Sequence, residues 1–216
     1  MKCEHIIWDW NGTLLDDVWL SVKSINTVLS QYALPQITTS HYLDIFTFPV
    51  IEYYKVLGFN FKKDPFKKVG TEFINEYTSN QYNPELHEGS INVLKTIHNS
   101  PVGQSLVSAA TQKMLDKLLH YHKLEDYFDD IIGQDNHYAY GKEESVLQWL
   151  NNNNVIPSNV LFIGDTIHDH DVAVNLGMKC ILISHGHTSH KRLIKTGSVV
   201  LPDIYSFINW YNENNE

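Results

Sequence analysis

The stretch His5-Ile6-Ile7-Trp8-Asp9-Trp10-Asn11-Gly12-Thr13-Leu14 decides how this chain is read. A short apolar run ends in a carboxylate and then a glycine turn, the pattern of a buried strand that delivers an acid to the loop at its carboxyl end. A second delivery lies far downstream, where the apolar run Val160 to Ile163 is followed by Gly164-Asp165-Thr166 and Asp169. Open α/β sheets place their sites in the crevice outside the carboxyl ends of the strands. Three carboxylates from two such strands therefore mark a candidate active site.

Working outward, strand-like runs recur at Ser105 to Val107, Ile131 to Ile132, Cys180 to Ile183 and Val199 to Leu201. Helical periodicity fills most of the gaps, over Gln112 to Tyr121, Glu143 to Asn151, His170 to Leu176 and Ile204 to Tyr211. Strand and helix in alternation predict a parallel sheet with crossover helices. Gly177 suits a helix C-cap, and the run Asn151 to Asn154 reads as a loop. Residues 16–85 break this rhythm. Val18, Val22, Ile25, Val28 and Leu29 follow helical spacing, Val50 to Leu57 and Phe66 to Tyr77 look helical, and Pro35, Pro49, Pro65 and Pro84 punctuate the segment. The expected fold is an α/β three-layer sandwich with a doubly wound parallel sheet, built from residues 1–15 and 86–216, plus a small all-helical insert over 16–85. Tyr42, Phe46, Phe48, Tyr53 and Tyr54 are assigned to the core of that insert.

Composition narrows the function classes. A chain of 216 residues with 43% hydrophobic and 19% charged residues suits one large domain or a core with an insert. A net charge of -9 argues against a general nucleic-acid surface, which draws on clustered Lys and Arg. No apolar run reaches the roughly 20 residues that span a bilayer, and the first strand starts too early for a secretion signal, so no membrane partner and a cytoplasmic location are expected. Cys3 and Cys180 read as buried thiols. Small-molecule chemistry is favoured, and oligomeric state is left open.

Asp9 with Gly12-Thr13, Ser108 after an apolar strand, Lys142 opening a helix, and Asp165 with Asp169 occur in the order and setting of the four motifs of the haloacid dehalogenase superfamily. The chain resembles that superfamily over nearly its whole length. It is most similar to the phosphoglycolate phosphatase-like branch, in which a helical cap follows the first motif. The resemblance implies an HAD-like phosphatase acting on a small phosphorylated metabolite through an aspartyl-phosphate, with Mg²⁺ as cofactor. Asp9 would be the nucleophile, and Asp9, the backbone carbonyl of Asn11, Asp165 and Asp169 would form the metal site. Asp169 would act there through water or by orienting Lys142. Gly12, Thr13, Ser108, Ala109 and Lys142 would surround the phosphate, with Ser108 and Lys142 contacting the transferring group.

One departure matters. Phosphatases of this superfamily usually carry a second Asp two residues after the nucleophile, and here it is Asn11, which cannot exchange a proton at neutral pH. A loss of roughly 10²- to 10⁴-fold is expected where nothing substitutes for it. A good leaving group, such as an aryl or acyl phosphate, or a stand-in acid such as His168 or His170, would keep a phosphatase active. The alternatives are a phosphonatase or dehalogenase, with Lys23 or Lys55 as cap lysine in the phosphonatase case, or a weakened protein that binds a phosphorylated ligand or partner. The His168-Asp169 step also resembles an all-helical metal phosphohydrolase, which the flanking strands contradict. His185 and His187 are placed on a rim beside the site without a role.

Overall fold

The computed structural model of the protein describes residues 2–135 and 141–214. Six parallel strands, β1 (His5–Trp8), β2 (Gly103–Thr111), β3 (Ile131–Gln134), β4 (Val160–Gly164), β5 (Lys179–Ile183) and β6 (Val199–Leu201), lie in the order β3-β2-β1-β4-β5-β6. The order reverses direction between β1 and β4, the two strands that carry the sequence's candidate carboxylates, and this is the switch point where such sheets bind ligands. Trp8 pairs with Ile163 on β4 and with Leu106 on β2, so Asp9, Asp165 and Ser108 leave neighbouring strands at the same level.

β1 is buried on both faces, which is why its sequence is a continuous apolar run. Ile6 and Trp8 enter one hydrophobic cluster and Ile7 the other. The first cluster takes side chains from α5 (Ser90–His98), α6 (Gln112–His122) and α10 (Tyr205–Asn214). The second takes them from α7 (Lys142–Asn153) and α8 (Ile167–Asn175). These are the three layers of an α/β sandwich.

Between β1 and β2, α1 (Val18–Gln31), α2 (Thr39–Ile45), α3 (Val50–Val56) and α4 (Phe66–Ser79) bury a cluster of their own, formed around Ile25, Leu29, Tyr42, Tyr53, Tyr54 and Val69. The chain enters and leaves this helical segment side by side: Asp16 N–H donates to Glu85 O and His87 N–H to Leu14 O. A short helix α9 (His190–Leu193) follows β5 and faces the segment. There Arg192 donates to the carbonyls of Leu43 (3.0 Å) and Phe46 (2.7 Å), and Lys191 pairs with Asp44 at 2.6 Å. No described helix is long and apolar enough to cross a membrane.

Three local readings change. β2 runs on through Ser108 to Thr111, past the last large apolar residue, because its end faces the site rather than the core. α8 starts at Ile167, not His170, because Thr166 and Asp169 form a capping box that begins the helix earlier. α7 extends through Asn153, and only Asn154 turns into the left-handed conformation that ends it, so the asparagine run is a last helical turn.

His87 stacks on His185 with ring centroids 3.5 Å apart, pinning the return crossing to the loop after β5. Burial depresses both imidazoles to about 4, and each would repel a charge on the other. An unfolded imidazole takes its proton near pH 6.5, so between pH 6.5 and 4 the unfolded chain binds more protons and stability falls as pH is lowered. His87→Phe keeps a flat ring in the stack and removes one of these sites. Its melting temperature is expected to drop less than that of wild type between pH 7 and 5; equal drops would remove the pair from the acid response.

Candidate active site

β1 is followed directly by Asp9, whose N–H donates to Ile163 O at 2.8 Å and so fixes the loop to β4. Asp9, Asp165 and Asp169 are all buried, and each offers an oxygen within 4.8 Å of the others. Lys142, the first residue of α7, reaches into this group from the helical layer that also holds α8. Its Nζ donates to Asp9 Oδ1 at 2.6 Å and to Asp169 Oδ1 at 2.5 Å. Gly141 supplies the positive φ of +99° from which α7 starts.

Each carboxylate is oriented by its own donors. Asp165 accepts the Thr13 hydroxyl at Oδ1 (2.9 Å) and the His187 N–H at Oδ2 (2.5 Å). Asp169 Oδ2 accepts the N–H groups of Asp165 and Thr166 and the Thr166 hydroxyl. Asp169 is thus both the N3 residue of the capping box and the second anchor of Lys142. Gly12 has φ +75°, and a Cβ there would run into the Asp165 carboxylate and the His187 ring. A Cβ on Gly186 would land on the same carboxylate, so both loops approach Asp165 through glycine.

Burial governs the charge states. It raises the Asp9 carboxyl to about 6 against the pull of Lys142, and raises Asp165 well above the usual range, with Asp9 and Asp169 adding to the effect. Asp169 is held below its ordinary value because Lys142 outweighs burial there. Burial works against the Lys142 ammonium, yet the two flanking carboxylates hold its pKa above the lysine norm.

A second buried network, built around Asp17, stands beside the first. Asn11 Nδ2 donates to Asp17 Oδ2 at 2.9 Å, as does the hydroxyl of Tyr77 on α4 at 2.8 Å. Asp17 Oδ1 accepts the Gly12 N–H at 2.8 Å and the His187 Nε2–H at 3.2 Å. The other ring nitrogen of His187 lies 2.8 Å from the hydroxyl of Tyr42 on α2. Burial alone would raise Asp17, but His187, Tyr77 and Asn11 together hold it low; burial alone would lower His187, but Asp17 lifts it to about 9. The acid of Asp16-Asp17, so close after Leu14, was the one signal available; Tyr77 and His187 lie too far away in sequence to be paired with it by inspection.

A cavity of about 400 Å³ opens from Asp9, Asn11, Ser108 and Lys142 toward the helical segment. Ala109 and Asp169 line it too, as do Tyr42, Phe46, Phe48, Tyr53 and Tyr54; four of these aromatics are wall as well as core, whereas Phe48, expected in the core of the insert, lies outside that cluster and stacks on His168. The Ser108 hydroxyl accepts the Ala110 N–H at 3.1 Å, which leaves its own proton to give. The Gly12 N–H is committed to Asp17 and Leu15 O, and the Thr13 side chain to Asp165. His168 stacks on Phe48, and His170 Nδ1 meets Ser198 Oγ at 2.8 Å; neither lines the cavity, whereas His187 does.

With this geometry in place, comparison with known proteins is decisive for the family. Residues 6–183 match the family model described as haloacid dehalogenase-like hydrolase. The chain belongs to that family. It is 21% identical over 205 residues to phosphoglycolate phosphatase 1 of Pseudomonas aeruginosa, a match covering 92% of this chain and 75% of that protein. It is 27% identical over 139 residues to a phosphoglycolate phosphatase of Pseudomonas fluorescens, spanning 63% of this chain and 51% of the relative. Its fold is shared with the crystal structure of a predicted phosphoglycolate phosphatase from Haemophilus somnus, with a TM-score of 0.81, 16% identity and coverage of 97% and 98% of the two chains.

In this hydrolase Lys142 is the cation between Asp9 and Asp169, and removing one partner of a buried ion pair costs about 3–5 kcal/mol. Lys142→Met is expected to lose that much in urea unfolding at pH 7.5 with chelator present. A loss below about 1 kcal/mol would mean that the carboxylates are neutralised some other way.

Proposed function

We propose that the protein is a Mg²⁺-dependent phosphomonoester hydrolase that works through an aspartyl-phosphate at Asp9. The observation that carries the reading is the Asp9-Lys142-Asp169 bridge beside Asp165, opening into a cavity with room for a substrate. The family and the phosphoglycolate phosphatase relatives support the same activity.

The donor set fits a hard divalent cation. Asp9, Asp17, Asp165 and Asp169 bury four carboxylates, and among the described residues Lys142 and His187 answer them with positive charge. In so dry a place the excess is met by protonation, the direction in which burial pushes Asp9 and Asp165, or by a bound dication. Oxygen ligands from one or two carboxylates together with phosphate are the usual choice of Mg²⁺. Asp9, Asp165 and the Asn11 carbonyl would hold the ion, with Asp169 acting through water or through Lys142. When bound, it would offset the repulsion between the Asp9 carboxylate and a phosphate dianion.

The residues of the chain would do the rest. The Asp9 carboxylate, fixed in line by Lys142 and the β4 carbonyl, would attack phosphorus. Lys142 would give charge and Ser108 its hydroxyl proton to the equatorial oxygens, with the backbone of Thr13 and Ala109 completing the phosphate loop and Gly12, whose N–H is committed to Asp17 and Leu15 O, shaping its turn. We treat the segment over 16–85 as a cap that keeps bulk water from the aspartyl-phosphate until the leaving group has gone.

Phosphate release from aryl and alkyl phosphomonoesters tests the reading. Wild type is expected to turn over with Mg²⁺, to stop with chelator and to melt higher when Mg²⁺ is added, while Asp9→Asn is expected to be inert. Activity that survives Asp9→Asn would rule out the aspartyl-phosphate. An Asp placed at position 11 would face the Asp17 carboxylate, whose charge raises its pKa and keeps it protonated as an acid. Asn11→Asp is therefore expected to raise alkyl ester turnover by about 10²-fold or more, and aryl turnover much less. Equal gains on both would show that position 11 does not serve the leaving group.

A further inference from the structure

We infer that the leaving group this site is built for is a phenol, so that its substrates are phosphate monoesters of aromatic alcohols rather than of small hydroxy acids. The inference rests on the phosphatase reading above and deepens it with two independent observations.

The first is the state of the proton donors. Expelling an alkoxide needs an acid, because alcohols hold their proton nearly as tightly as water, near pKa 15.7, whereas a phenol releases its own near 10. Among the described residues, the polar groups next to the nucleophile are already engaged except the Ser108 hydroxyl, whose free proton is the one assigned above to an equatorial phosphoryl oxygen. Asn11 is an amide whose Nδ2 is given to Asp17. Asp17 accepts from four donors on its two oxygens. The Tyr77 proton goes to Asp17, both nitrogens of His187 are taken by Asp17 and Tyr42, and Lys142 is shared between two carboxylates. His168 and His170, the candidate stand-ins, lie elsewhere. A site arranged this way favours an oxygen that departs as an anion.

The second is the wall. The helical segment contributes no Lys or Arg to the cavity, so no cation on that side forms an ion pair with the carboxylate of a hydroxy acid; its polar groups there, such as Ser21, Tyr53 and Thr78, are neutral. It contributes rings instead, among them Phe48, Tyr54, Phe66 and Phe73. Aromatic walls hold an aromatic guest by offset and edge contacts. The space, about 400 Å³, lies in the range of sites for ligands well beyond a two-carbon acid. Among the described residues, the other cations of the wall besides Lys142 are His187, committed to Asp17, and Lys113 and Lys117, exposed on the core helix α6.

The step balances without a donated proton. An Asp9 oxygen bonds to phosphorus as the phosphorus-to-aryl-oxygen bond breaks, and that electron pair leaves on the phenolate. Water then cleaves the aspartyl-phosphate, returning the Asp9 carboxylate and dihydrogen phosphate, which passes a proton to the phenolate in solution.

The test compares kcat/KM for phenyl and 2-naphthyl phosphate with phosphoglycolate and glycerol 3-phosphate, all with Mg²⁺, in wild type, Asp9→Asn and Gly70→Leu. Gly70 lies on α4 in the cavity wall, and a Cβ there meets nothing within 4 Å, so a side chain begins in open space and narrows the cavity. The aryl esters are expected to exceed the alkyl esters by about 10²-fold or more. The naphthyl ester is expected to beat the phenyl ester, whose leaving group is of similar basicity, and Gly70→Leu to cut that naphthyl advantage about ten-fold. Alkyl esters that match or beat the aryl ones, with Asp9→Asn inert, would overturn the substrate class and leave the phosphatase standing. An aryl preference untouched by Gly70→Leu would reflect intrinsic reactivity and overturn the seating of the ring. No release from any ester would remove both readings.

Discussion

Burying like charges together is the constraint on which the site depends. Asp9, Asp165 and Asp169 share a space where their oxygens lie within 4.8 Å, and Asp17 stands beside them behind Gly12. In low dielectric such a group is costly unless each charge is paired or hydrogen-bonded. Lys142 answers two of the carboxylates and His187 a third, while Thr13, Thr166 and backbone N–H groups fill the remaining lone pairs. The three loops can come close enough to do so only because Gly12, Gly164 and Gly186 carry no side chain where the carboxylates lie.

The same constraint gives Asn11 a structural reason. An aspartate there would set one carboxylate against another at Asp17, whereas the amide donates to it. Asp17 then becomes a knot that joins three parts of the molecule: the loop after β1 through Gly12, the loop after β5 through His187, and the helical segment through Tyr77. Tyr42 ties that segment to His187 a second time, and Arg192 latches α2 from the side. The amide at position 11 is thus coupled to how firmly the helices are held over Asp9. One carboxylate fixes both the amide at position 11 and the contact between the helical segment and the loops after β1 and β5.

The sheet was legible in the sequence because a parallel sheet buried on both faces must be written as apolar runs, and β1, β4 and β5 are such runs. The end of β2 was not, since Ser108 to Thr111 serve the site and lack the apolar signature. α2 escaped notice because a seven-residue helix with one fully buried residue carries little periodicity; its start is set by Thr38 accepting the His41 N–H. The carboxylates and Lys142 could be named from motif order alone. Asp17, Tyr77 and His187 could not, because their meaning lies in contacts across 60 and 170 residues of chain. The histidines show the limit most plainly: neighbours in sequence at His168 and His170 point to different surroundings, while His187, left without a role, sits at the centre.

The aromatic residues of the helical segment make one last connection between packing and chemistry. A segment this short has few side chains to bury, so the rings that form its core also form the wall of the cavity. Tyr42, Phe46 and Tyr53 contact one another at centroid distances of 5.0 to 5.7 Å, in one stacked and two edge-on pairs, which fixes the wall with little rotamer freedom. A change that enlarges the cavity by trimming one of these rings therefore also opens a hole in the segment's only core, at about 3–5 kcal/mol for a buried Phe. Specificity here is easier to alter by filling space than by clearing it, which makes positions such as Gly70, where the wall is bare backbone, the places at which this fold can change substrate without losing its stability.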